Sequence, residues 1–145
     1  MRDMLAARWA EIGDKVVQLA EAVPEHAYDR RPAAEVRSFA EQLRHVAFWN
    51  LYARDTLRGG APDGEANALP GDVYATKARI VDALRDSFAD VGAEIARRDA
   101  EFAPSDLETV VSYLGHAAEH YGQLAVYARL AGVVPPASLP VAASA

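Results

Sequence analysis

Apolar residues in the first half of the chain recur at the alternating steps of three and four that are typical of amphipathic helices. The first helical face ends at Pro24 and consists of Leu5, Trp9, Ile12, Val16, Leu19 and Val23. A second face begins after the capping box Ser38 with Glu41, ends at Gly59-Gly60, and consists of Phe39, Leu43, Val46, Asn50, Ala53 and Leu57. We therefore predict two helices, separated by a proline-containing connection of about a dozen residues that can cross the end of a bundle.

Two further helices are predicted in the second half. The stretch 61–71 reads as a loop because it is rich in Pro, Gly, Asp and Asn. Helix three is then predicted to direct inward Val73, Ile80, Leu84, Phe88, Val91 and Ile95. Pro104 and a second capping box, Ser105 with Glu108, are predicted to open helix four, which ends at Gly132. Its core stripe is predicted to be Leu107, Val111, Leu114, Ala118 and Ala125.

No stretch has a convincing strand pattern, so the predicted fold class is all-α, a four-helix bundle. We predict a single domain over residues 1–134, followed by a Pro/Ala-rich tail at 135–145 with little to bury. The length of 145 residues and the hydrophobic content of 51% are those of a globular protein, and no apolar run approaches the ~20 residues of a membrane span.

Charge and composition narrow the classes of function. A net charge of −6 argues against nucleic-acid binding, which needs clustered Lys and Arg. The absence of cysteine excludes thiolate metal ligands and a cysteine nucleophile. Charges at Arg2, Asp3, Arg8 and Glu11 interrupt the apolar residues at the start, which indicates a cytoplasmic protein without a secretory signal.

Candidate chemistry is concentrated in the histidines. His116 and His120 are four residues apart on helix four, so their imidazoles lie one above the other and can share one divalent ion. His45 on helix two can supply a third ligand if the bundle packs these helices together, which leaves coordination positions open for water or substrate. The alternative is a chance pair of imidazoles that only makes hydrogen bonds in a core.

Three polar residues near the pair are candidates for supporting the ligands. Gln123 and Tyr127 share the helical face of His116 and His120. Glu119 lies about 100° off that face, so a salt bridge or a supporting contact suits it better than the role of general base.

The chain resembles the DinB-like superfamily of metalloenzymes, also called the YfiT-like fold. Three segments carry the resemblance: AEAVPEHAYDRRP from Ala20, VRSFAEQLRHVA from Val36, and EHYGQLAVYARLAGVVPPAS from Glu119. Their order and spacing are specific, although none is a complete signature. The resemblance implies a four-helix bundle whose metal is held by one histidine of the second helix and an His-x-x-x-His pair of the last, here His45, His116 and His120.

The resemblance also implies the range of activities. Characterised relatives include bacillithiol-dependent thiol S-transferases, a mycothiol-dependent isomerase and metal hydrolases. We expect a divalent-metal-dependent enzyme, a thiol S-transferase or a hydrolase acting on a small molecule, with zinc or nickel as the leading metals and iron or manganese as further options. Because the chain has no cysteine, thiol transfer needs a low-molecular-weight thiol as co-substrate.

The alternative hypothesis is a non-catalytic bundle that binds a metal or ligand. It draws on the second helix, which is apolar nearly all round at Val46, Ala47, Phe48, Trp49, Leu51, Tyr52 and Ala53. Such an excess over one core face predicts a homodimer on either hypothesis.

Overall fold

A computed structural model describes residues 1–141 of the chain. The four long helices are α1 Arg2–Ala22, α2 Phe39–Leu57, α3 Lys77–Ala96 and α4 Pro104–Leu130. A single-turn 3₁₀ helix, Glu25–Ala27, lies between α1 and α2, and a second, Pro136–Ser138, follows α4. Residues 1–141 contain no strand, so the all-α prediction is confirmed.

α1 and α2 form where the pattern places them, and α3 contains the predicted positions from Ile80 to Ile95. The predicted inward faces of α1 and α2 are buried along their full lengths. The capping box of α2 is present, with the Glu41 amide donating to Ser38 Oγ and the Ser38 amide donating to the Glu41 carboxylate. α3 is capped by Thr76, whose hydroxyl accepts from the Arg79 amide. These caps satisfy amide groups that have no partner within their own helix.

Two predictions at helix starts are wrong. Val73 precedes α3 and is 47% exposed, because the chain turns between Pro70 and Tyr74 before the helix begins. Ser105 does not cap α4: the helix begins at Pro104 and its cap residue is Ala103, with no side-chain capping bond. Proline suits the first helical position because its missing N–H has no partner there in any case.

The predicted core stripe of α4 is wrong in part, since Leu107, Leu114 and Ala125 pack half-buried against the core but Ala118 is exposed. Val111 is 51% exposed, and the buried residues are Val110, Ala117, Leu124 and Ala128. This buried line lies between the histidine face and the predicted stripe, since α4 packs against both α1 and α2 and directs its innermost residues between them.

The helices form a closed ring in which α1 packs on α3, α3 on α2, α2 on α4 and α4 on α1. α2 and α3 are parallel, because the ion pairs Arg54–Asp90 and Arg58–Glu94 advance together along both helices. α1 and α3 are antiparallel, since Lys77 at the start of α3 donates to carbonyls at the end of α1. α2 and α4 are antiparallel as well, with Gln42 beside Gln123.

Two consecutive parallel helices require a connection that returns along the bundle, and residues 58–76 form this return segment. It runs along α2: the Leu69 amide donates to the Arg44 carbonyl at 3.2 Å, and Gly64 lies so close to Trp49 that a Cβ there would be 2.8 Å from the indole. The segment therefore covers part of the apolar surface of α2 that the homodimer prediction had assigned to a partner.

The chain after α4 turns at Gly132, whose φ of +78° suits glycine. Pro135 is buried and the following 3₁₀ helix packs against α1, so this part of the expected tail buries more than predicted. The remainder of that tail, residues 142–145, lies outside the described residues. No helix among residues 1–141 is long and apolar enough to cross a membrane.

Candidate metal centre

The three predicted ligands meet between α2 and α4. His45 Nε2 lies 3.1 Å from His116 Nε2 and 3.1 Å from His120 Nε2. His45 is buried and the other two are half-buried. The antiparallel packing of α2 on α4 brings these residues together despite a separation of 71 residues between His45 and His116.

His45 is oriented by the return segment. Its Nδ1 donates to the carbonyl oxygen of Asn67 at 2.7 Å, because a carbonyl can only accept. The proton is thereby held on Nδ1, and Nε2 presents its lone pair toward the other two histidines. Asn67 has a φ of +57°, and its side-chain Oδ1 also accepts from Trp49 Nε1 at 2.8 Å. One residue thus fixes both a ligand and the neighbouring indole.

His120 is oriented by a pair of glutamines. Gln42 Nε2 lies 2.8 Å from His120 Nδ1 and also contacts Gln123 Oε1. If both carboxamides rotate by half a turn, Gln42 Oε1 accepts from His120 Nδ1 and from Gln123 Nε2, with the same number of hydrogen bonds. In that arrangement His120 also carries its proton on Nδ1 and presents a free Nε2. The glutamine pair can therefore support the ligand form of His120.

The electrostatics of the site keep the imidazoles neutral. Burial lowers the pKa of His116 to about 4, assisted by His120 and His45. Burial likewise lowers the pKa of His120 to about 4, and it lowers the pKa of His45. The positive charge of Arg37 contributes to the lowering at all three residues. Neutral imidazoles are the form that binds metal ions.

The donor set fits a metal ion. In a tetrahedral zinc site with Zn–N distances of about 2.0–2.1 Å, neighbouring ligand nitrogens are about 3.3 Å apart, close to the separations found here. Without a cation, His45 Nε2 can accept only one good hydrogen bond from its two histidine neighbours. His116 Nδ1 is buried and has no hydrogen-bond partner among the described residues. The three histidines are thus positioned to hold one divalent ion.

The other predicted site residues take different places. Gln123 reaches His120 through Gln42. Tyr127 does not contact the histidines, and its hydroxyl donates to the Arg37 carbonyl at 2.6 Å. Glu119 is exposed and makes no hydrogen bond or ion pair among residues 1–141. Neither Glu119 nor Tyr127 therefore makes a hydrogen bond to a histidine of the site among the described residues.

Two contributors were missed by sequence reasoning. The Asn67 carbonyl belongs to a loop, and no sequence signal links it to His45. Gln42 did carry a signal, because it lies one turn before His45 on the same helix, but the pattern did not connect it with Gln123.

Aromatic side chains border the site beside His116, where Trp49 stacks on Tyr113 at a centroid distance of 6.2 Å.

Comparison with protein families gives a match over residues 8–124 to the family model described as the DinB superfamily. The matched range contains all three histidines, both glutamines and Asn67. The comparison with curated proteins gives no match.

Proposed function

Because the chain belongs to the DinB superfamily, we propose that it is a divalent-metal-dependent enzyme that acts on a small molecule, by thiol transfer or by hydrolysis. The observation that carries the proposal is the convergence of three neutral imidazole nitrogens from α2 and α4. Three protein ligands leave positions open to a substrate, which is typical of catalytic rather than structural metal sites.

The proposed metal is zinc or nickel, since imidazole suits both; iron and manganese are the further options. When bound, a divalent ion supplies Lewis acidity, which lets a water molecule or a small-molecule thiol ionise near neutral pH. The protein's part is to hold the ligands: the Asn67 carbonyl orients His45, and the glutamine pair orients His120. In a thiol transfer the thiol is a low-molecular-weight co-substrate, because the chain has no cysteine.

The test joins metal analysis with an activity panel. We expect about one divalent ion per purified chain, and turnover of at least one substrate in a panel of bacillithiol, mycothiol, glutathione, esters and amides. His45→Ala, His116→Ala and His120→Ala should each lose metal-dependent turnover, whereas His26→Ala is the matched control because His26 is exposed and is not part of the cluster of three histidines. A folded, metal-free variant with full activity contradicts the proposal.

The second candidate function is a non-catalytic, metal-binding or ligand-binding homodimer. Phe48 and Leu51 on α2 favour a dimer. The return segment packs against their neighbours Trp49 and Tyr52 through Gly64, but Phe48 and Leu51 remain only half-buried and can contact a second copy. Phe48→Glu or Leu51→Glu should then weaken self-association, measured by sedimentation. A monomer at micromolar concentration in the unmodified protein contradicts a dimer. With either function, a cytoplasmic location is part of the proposal.

A further inference from the structure

A cavity lies beside the histidines, on the side of the glutamine pair Gln42 and Gln123. It has a volume of 720 Å³, within the range of small-molecule sites. Its lining comprises Pro32, Glu35, Val36, Arg37, Gln42, Gln123, Val126 and Tyr127. Since Gln42 also contacts His120, the cavity and the three histidines share one wall. A ligand in this cavity therefore lies next to the proposed metal centre.

Arg37 is the distinctive residue of this cavity. It is half-buried, yet its guanidinium makes no hydrogen bond or ion pair among residues 1–141. Arg30 and Arg129 also have no side-chain partner among the described residues, but both are exposed to solvent. Neighbouring Arg31, by contrast, binds the Glu41 carboxylate through both terminal nitrogens. The N–H donors of the Arg37 guanidinium are therefore available to a bound anion.

The backbone holds Arg37 in place. Its carbonyl accepts from the Tyr127 hydroxyl at 2.6 Å, and the next residue, Ser38, is fixed in the capping box of α2. These contacts hold the backbone from which the Arg37 side chain extends, and the planar fork of its guanidinium matches a carboxylate or a phosphate. Val36 and Val126 add apolar surface for the rest of a ligand. Glu35 is exposed and is the one acidic side chain of the lining, so its carboxylate repels a bound anion.

We propose that the cavity lined by Arg37, Gln42 and Gln123 is a subsite for an oxyanion group, a carboxylate or a phosphate, of the small molecule that the metal centre acts on. That the bound molecule is the substrate of the metal centre rests on the proposed function. The binding of the oxyanion itself depends only on Arg37 and the cavity.

The experiment is an NMR titration of the zinc-loaded chain that follows the Nε–H signal of Arg37 together with the side-chain amide signals of Gln42 and Gln123, which line the same cavity and report binding in the variants of Arg37 as well. The probes are glutarate for carboxylate, inorganic phosphate for phosphate, and 1,5-pentanediol as the uncharged counterpart of glutarate. We expect a saturable shift with at least one oxyanion and none with the diol. Arg37→Gln should weaken that binding by about ten- to a hundredfold, the range for hydrogen bonds to charged groups. Arg37→Lys should restore only part of it, because lysine keeps the charge and loses the fork.

Two matched variants serve as controls. Arg30→Gln makes the same change of charge outside the cavity lining and should leave binding unchanged. Glu35→Gln removes the opposing carboxylate and should tighten it. An Arg37 signal that neither oxyanion moves, or unchanged binding in Arg37→Gln, overturns the subsite.

The titration is repeated in the double variant His116→Ala/His120→Ala, which separates the subsite from the proposed metal function. If the Arg37 shift persists there while the unmodified chain binds no zinc, the subsite stands and the metal function fails. If zinc binds and Arg37 does not respond, the metal function stands and the subsite fails.

Discussion

The two antiparallel seams of the bundle, α1 with α3 and α2 with α4, are filled by opposite chemistry. Between α1 and α3, Trp9 is 2% exposed, its ring lies 5.3 Å from that of Phe88, and its Nε1 donates to the Phe88 carbonyl at 2.8 Å. Between α2 and α4 the corresponding space holds imidazoles and carboxamides, and His116 Nδ1 is buried with no hydrogen-bond partner in the part of the chain that the structure describes. One seam therefore stabilises the fold, and the other retains polar groups that a ligand can use.

The largest effect is expected from Trp9→Ala, which should lower the free energy of unfolding by about 3–5 kcal/mol through loss of buried area and the cavity left behind. Urea unfolding of the metal-free protein measures it. His116→Ala should change that free energy far less, because it removes an incompletely satisfied polar group rather than an apolar anchor. Equal destabilisation by the two variants breaks the contrast between the seams.

Metal should stabilise the protein through the α2–α4 seam alone. At a free zinc concentration 100 times the dissociation constant, the unmodified chain should gain about 2.7 kcal/mol against unfolding. The gain should vanish in His116→Ala/His120→Ala and persist in His26→Ala, measured by thermal unfolding together with metal content. A stabilisation by zinc that survives the double replacement refutes the assignment of these ligands.

Asn67 tests how far the return segment contributes to the seam. Asn67→Ala should weaken metal binding by about 10–100-fold, the usual cost of losing a group that orients a ligand, because alanine disfavours the positive φ that places the carbonyl on His45. Asn67→Gly should cost less, since glycine accepts that φ and only the bond to Trp49 is lost. Competition with a zinc chelator measures the zinc affinity of each protein. Equal affinity in the unmodified chain, Asn67→Ala and Asn67→Gly contradicts the role given to Asn67.

The last prediction concerns pH. The folded protein holds the pKa of His116 and His120 at about 4, below the 6.5 of a free imidazole, so the unfolded chain binds more protons between these values. Stability of the metal-free protein should therefore fall as pH decreases from about 6.5 to 4. His116→Ala/His120→Ala should flatten this dependence relative to His26→Ala in urea unfolding at several pH values. A pH profile identical in both variants contradicts neutral imidazoles in the seam.

Much of this architecture can be predicted from local pattern. The helical faces of α1 and α2, the capping box at Ser38 and the end of α4 just before Gly132 follow from periodicity and cap chemistry, which act within a few residues. The pair His116 and His120 is local for the same reason, since four residues make one helical turn. The predicted burial of Val111 and Ala118 on α4 was wrong because burial depends on which neighbours a helix meets. The predicted burial of Val73 was wrong because this residue precedes α3.

The helices and the types of ligand can be predicted from the amino-acid sequence alone, because they depend on residues close together in the chain. The parallel arrangement of α2 and α3 is established by tertiary packing, and so is the return of residues 58–76 along α2 that brings the Asn67 carbonyl to His45. The same packing joined Gln42 to Gln123 and left Arg37 half-buried beside them. Such contacts span tens of residues, and no local propensity encodes which distant backbone group or side chain will be within reach once the helices have packed.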